Sequence, residues 1–146
     1  MKSFLVVFLL IFTITGFSQD KVKVRYKMSK NEVQINKVAW AKVEYLAGKY
    51  FLKTLGGEEF VSIKSMEYGT GEYFKNTGEE IMHSYCEVKF LTTDMDAFEV
   101  DANYFAATRL MYQLGVLTDD QFVLENAQKY KERYADNVSE KRFLTK

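Results

Sequence analysis

The chain has no proline, one cysteine, one histidine and no net charge: its 20 lysines and arginines equal its 20 aspartates and glutamates. Each scarcity excludes something. Without proline there is no proline-rich linker, and neither a low-complexity tract nor an internal repeat divides the sequence. A single cysteine cannot close an internal disulfide, so an exported chain of this composition must be held by its core. One cysteine and one histidine cannot supply the four ligands of a structural zinc. A balanced charge gives no net field to draw the chain to nucleic acid or to anionic lipid, and nucleic acid is not expected as a partner.

What is present begins with the leader "MKSFLVVFLLIFTITGFS". Lys2 precedes an apolar run from Phe4 to Ile14, and Gly16 and Ser18 form a small-x-small pair, the order of a secretory signal peptide cut between Ser18 and Gln19. The run is too short for a spanning helix, which needs about 20 apolar residues. No second stretch is long enough, so no stable membrane insertion is expected after the leader is removed. No cysteine follows the cut to carry a lipid. The expected organisation is a signal peptide at 1–18, one domain at 19–135 and a flexible tail at 136–146.

Strand patterning fills the first part of that domain. In "KVKVRYKM" (21–28), Val22, Val24, Tyr26 and Met28 alternate with Lys21, Lys23, Arg25 and Lys27, the period of a half-buried strand. The four cations read as a solvated face that discourages edge-to-edge pairing; a stripe for an acidic partner is the alternative. In "VQINKVAWAKVEYL", Trp40 is set against Ala39, Ala41, Val43 and Tyr45. Ala47-Gly48 suggests a turn, "KYFLKTL" (49–55) a strand, and Gly56-Gly57 a hairpin into "EEFVSIKSMEY" (58–68). The glycine-bearing stretch 69–80 reads as a loop, and 81–91 and 97–101 as paired strands.

The period then changes. Asp101 is the expected N-cap of a helix running through Leu114, with Gly115 as its stop and Val116 or Leu117 packing back over the last turn. Thr118 with Gln121 fits a capping box for a second helix, with Asp119 and Asp120 in its first turn and an end near Tyr134. Strands followed by helices imply an α+β domain: an antiparallel sheet of five or six strands with a C-terminal helical hairpin packed on one face.

The chemistry-bearing residues do not assemble into a reactive centre. His83 and Cys86, three apart on a strand, point to opposite faces, so they read as a surface imidazole opposite an acid and a small buried hydrophobe. The carboxylate pairs Glu58/Glu59, Glu79/Glu80, Asp94/Asp96 and Asp119/Asp120 fall in turns or at the expected helix start. "DMD" lacks the glycine and distant glutamate of a calcium loop. Gly69-x-Gly71 has no third glycine and opens no helix, and no serine sits in G-x-S-x-G. No catalytic, cofactor-binding or metal-binding residue is therefore assigned. Tyrosine is abundant, with 10 copies; Tyr68 and Tyr73, in and beside the glycine stretch, are the binding candidates because a ring with one wet end suits an interface.

"GFSQ", "VAWAKVEYL", "EVKFL" before a short acidic turn, and "YQLGVLTDDQFVLENAQKYKERY" together resemble small exported proteins of Bacteroidota, which carry no assigned activity. The resemblance implies strands followed by C-terminal helices, and brings no cofactor or site residue. The functional expectation is an exported, non-enzymatic binding or interaction module of the cell envelope, with an envelope protein or a glycan as partner and the oligomeric state open. The alternative is a carrier of a small apolar ligand, with a cavity among Trp40, Phe60 and Phe90.

Overall fold

The computed structural model describes residues 21–144; the expected signal peptide at 1–18 lies outside them. Seven strands follow one another: β1 (Val24–Lys27), β2 (Glu32–Ile35), β3 (Val38–Leu46), β4 (Lys49–Lys53), β5 (Glu59–Tyr73), β6 (Glu80–Phe90) and β7 (Phe98–Val100). Next come α1 (Tyr104–Gln113), the short pair β8 (Leu117–Thr118) and β9 (Gln121–Phe122), α2 (Leu124–Tyr134), β10 (Ala135–Asp136) and α3 (Val138–Leu144). The main sheet is antiparallel in the order β1-β2-β3-β4-β5-β6-β7-β10. The domain is α+β, with eight strands in the main sheet rather than five or six.

Two-residue turns with both residues at positive φ set the meander's register, because their twist matches that of the strands they join. Asn36-Lys37 (φ 50 and 71) links β2 to β3, and Ala47-Gly48 (φ 51 and 78) links β3 to β4. Asp119-Asp120 (φ 51 and 59) makes the third such turn, joining β8 to β9. The aspartates expected to open the second helix therefore close a hairpin, and α2 begins only at Leu124. The Asp120 carboxylate accepts hydrogen bonds from the Leu55 and Gly56 N–H groups (2.5 and 3.1 Å), bracing the β4–β5 turn.

α1 is capped by Asn103, whose Oδ1 accepts from the Ala106 N–H at 2.9 Å, rather than by Asp101. Its end follows the expected stop: Gly115 takes φ +69, its N–H bonds to the Tyr112 carbonyl, and the Val116 N–H bonds to that of Met111. Val116, buried, packs back over the turn as expected.

One sheet face carries the core. Tyr26, Val33 and Ala41 lie across β1–β3; Val43, Leu52, Val61 and Phe90 cross β3–β6; Ile63, Val88 and Phe98 cross β5–β7. Ala107 and Met111 of α1 and Ala127 and Tyr130 of α2 cover them. The buried Tyr130 hydroxyl donates to the Ala107 carbonyl at 3.1 Å, tying α2 to α1. Trp40 reaches this side through a bulge: Val33 pairs Ala41 while Gln34 pairs Ala39, leaving Trp40 as the extra residue. A bulge re-aims a side chain that strict alternation would send away. Trp40 thus meets Phe60 and Tyr112 edge-on and donates to the Leu117 carbonyl (3.3 Å).

The helices are not a simple hairpin on one face. β8 and β9 separate α1 from α2. α3 lies on the opposite face, where Tyr85 (across from Met66) is 2 % exposed and Arg142 acts on it electrostatically. The segment after 135, expected as a loose tail, pairs Asp136 with Glu99, buries Val138, and donates from the Ser139 N–H to the Glu99 carboxylate at 2.9 Å. An edge strand with an unpaired neighbour position and an apolar Tyr85 surface gave this segment somewhere to dock, which the polar sequence of the tail does not reveal.

Candidate functional site

His83 and Cys86 take opposite faces of β6. His83 pairs across the strand with Tyr68, and Cys86 with Ser65. The His83 imidazole meets the Asp101 carboxylate at the surface (Nε2–Oδ1 2.5 Å). Cys86 is buried, and burial pushes its thiol up to about 12, so it stays protonated and unreactive at neutral pH. Among the described residues, no three His, Cys, Asp or Glu side chains converge as a metal site.

The four carboxylate pairs are scattered into separate structural tasks. Glu59 joins Glu44 around Lys53 on the outer face (3.2 and 2.8 Å). Asp120 braces the β4–β5 turn, and Glu80 folds back against its neighbouring strand, its Oε1 accepting from the Gly71 N–H at 2.9 Å. Asp94 and Asp96 sit exposed in the β6–β7 turn.

The stretch expected as a loop at 69–80 is strand at both ends: β5 runs on to Tyr73 and β6 begins at Glu80, and only 74–79 are turn. β5 and β6 run on past their neighbours: β4 pairs with β5 as far as Ile63, and β7 with β6 as far as Cys86. From Met66 and Tyr85 outward, the two strands pair only with each other and form a projecting arm. Between Gly69 and Tyr73 the register slips, opposite Met82 and Glu80. Thr70 Oγ1 donates to the Ile81 carbonyl (2.8 Å) and closes the slip on one side. The Glu80 carboxylate fills the space above Gly69 that a Cβ would need, so glycine at 69 answers a close approach.

Tyr68 and Tyr73 do not form one site. Tyr68 stands across from His83 and Tyr73 across from Glu80, positions of opposite parity, so the two rings leave opposite faces of the arm. Tyr68 is half-buried between the rings of His83 and Tyr85 (centroids 5.1 and 6.0 Å). Tyr73 is 59 % exposed and has Phe74 (50 %) and Met82 (50 %) on the same arm. Phe74 and Met82 escaped the sequence reading because alternation placed Met82 among the core-facing residues; the arm carries it beyond the helices that cover that face.

A second aromatic group joins the sheet to α1. Tyr50 stacks on Tyr104 (4.7 Å, 24°), and Tyr26 meets both edge-on. Thr108 Oγ1 donates to the Tyr104 carbonyl (2.7 Å), so the Tyr26 hydroxyl donates to Thr108 (2.6 Å). Burial, with the neighbouring Tyr50 hydroxyl, pushes Tyr104 up to about 12, and burial raises Tyr26 above the ordinary phenol. These rings are interior packing with one exposed end, Tyr45, against Tyr50 at 4.8 Å.

No family model, curated protein or solved structure matches the chain. Among the described residues, no helix is long and apolar enough to cross a membrane.

Proposed function

We propose that the chain is an exported, non-enzymatic interaction module of the cell envelope, of the kind its motifs resemble in Bacteroidota, and that the β5–β6 arm engages a partner protein. The observation that carries this reading is the arm itself: Tyr73 and Met82 on its two strands and Phe74 at the start of the turn between them are each at least half exposed, with no other strand beside them. A two-stranded ribbon is marginal in water by itself. Its outer edges offer unpaired N–H and C=O groups, which an extended polypeptide can satisfy by adding a strand while its side chains cover the apolar rings. A glycan could stack on the rings but could not complete the backbone ladder. The carrier reading is disfavoured by packing, since Phe60 and Phe90 both close on Phe122 (6.2 and 5.8 Å) and Trp40 closes on Phe60.

The test is capture from an envelope extract with the wild-type protein and with the Tyr73→Ser/Phe74→Ser double variant. The wild type is expected to retain a protein that the variant loses, with an unchanged melting curve for the variant. Equal capture by both, or recovery of a glycan or a co-purified lipid instead of a protein, would remove the arm from this role.

A further inference from the structure

The expected solvated stripe on β1 is joined by cations from two other elements. Lys21, Lys23 and Arg25 from the first strand region, Lys37 from the β2–β3 turn and Arg109 from α1 line one groove of about 820 Å³, with Val24, Gln34 and Asn36 completing its wall. No carboxylate lines it. None of the five cations makes an ion pair among the described residues; the pairs found there involve Lys53, His83, Lys129 and Lys141. Glu32, on the neighbouring strand, accepts from the Gln34 side-chain amide (3.1 Å) and is not among the residues that line the groove.

The groove is held in shape. Asn36 N–H donates to the Lys23 carbonyl, and the Lys23 N–H donates to Asn36 Oδ1, both at 2.9 Å. The turn carrying Lys37 is thereby fixed to the chain carrying Lys23, and the Asn36 amide NH2 is left to donate. Five like charges lining one groove with no carboxylate among its lining residues repel one another unless a bound anion offsets them. Lys23 and Arg25 flank Val24 in extended chain, about 7 Å apart, and the guanidinium forks of Arg25 and Arg109 match carboxylates in bidentate fashion. That arrangement fits repeated charges along one molecule better than one compact ion.

We propose that this groove binds a linear acidic polysaccharide through its repeating carboxylates. The site is separate from the β5–β6 arm and stands or falls independently of it. The test is binding of a fluorescently labelled oligogalacturonate to the purified protein at low ionic strength. Three charge-reversal proteins are compared: Arg25→Glu/Lys37→Glu/Arg109→Glu in the groove, a distal triple Lys64→Glu/Lys75→Glu/Lys89→Glu of equal net charge, and the single Arg109→Ala. The expected result is saturable binding that weakens steeply with salt, falls at least tenfold in the groove triple, falls measurably in Arg109→Ala, and changes little in the distal triple. A neutral dextran should not compete. If the groove triple fails to melt like wild type, Arg109→Ala carries the decision. Absence of binding, equal loss in both triples, or displacement by inorganic phosphate at matched ionic strength would overturn the proposal; the last result would mean a site for a single compact anion.

Discussion

At the scale of single residues, backbone conformation explains more than side-chain identity does. Ala47 occupies φ 51 in a turn where glycine would be unstrained, and a non-glycine residue in that region carries a cost of about 1 kcal/mol. Ala47→Gly is expected to raise the denaturant midpoint, by an amount worth up to about 1 kcal/mol after the added freedom of the unfolded chain is subtracted. Gly115→Ala should do the opposite by a similar amount, because the Gly115 φ of +69 is joined by Thr118 Oγ1 at 3.0 Å from the new Cβ. Chemical denaturation of the two variants checks both signs. Cys86 gives a third expectation: with its thiol pushed up to about 12 in the core, it should resist alkylation in the native protein and react fully once unfolded. The opposite faces of His83 and Cys86 were legible from the two-residue period alone. Asn103 as N-cap was not, because Asp101 offers the same side-chain chemistry two residues earlier and instead meets His83.

At the scale of elements, period-two segments were readable and their ends were not. The turn at Ala47-Gly48 and the stop at Gly115 carry local signals that no distant contact overrides. Asp119-Asp120 carry the signal of a helix start, and what decides against it lies 65 and 64 residues away, at the Leu55 and Gly56 N–H groups that donate to the Asp120 carboxylate. The glycines at 69 and 71 read as a loop, yet they serve a bulge inside a long hairpin. Gly69→Ala should force the Glu80 carboxylate out and release the Gly71 N–H. Faster hydrogen exchange across residues 70–80, with little change in global melting, is the expected result. α3 makes a contrasting prediction: Val138→Asp puts a charge at a buried position of that helix and should cost about 2 kcal/mol or more. Thermal melting measures that loss, and tryptic cleavage after Lys141 or Arg142 should accelerate with it.

At the scale of the whole molecule, the buried phenols and thiol govern the alkaline limit. The folded pKa values of Cys86 and Tyr104 lie above their unfolded values of 9.0 and 10.0, each at about 12. The folded state therefore holds these protons more tightly. Their stabilisation is intact below pH 9 and is lost progressively as pH rises toward 12. Unfolding followed by circular dichroism should begin above pH 9, with Tyr104 ionising together with the transition and not before it. A balanced formal charge concealed the groove between β1 and α1, because composition averages over a surface and only the fold brings Lys37 and Arg109 beside Lys23 and Arg25.

The order of strands across the sheet has a temporal meaning. Seven neighbours follow in sequence, so each can join as soon as the one before it is in place, but the eighth position is filled by two residues from near the end of the chain. A chain emerging from the ribosome N-terminus first would assemble a broad sheet with a bare apolar side, waiting for α1 and α2 to emerge and cover it. The interval between those events is when exposed apolar surface is greatest, and slowing the emergence of the chain from Tyr104 onward should show up as aggregation rather than as slower folding.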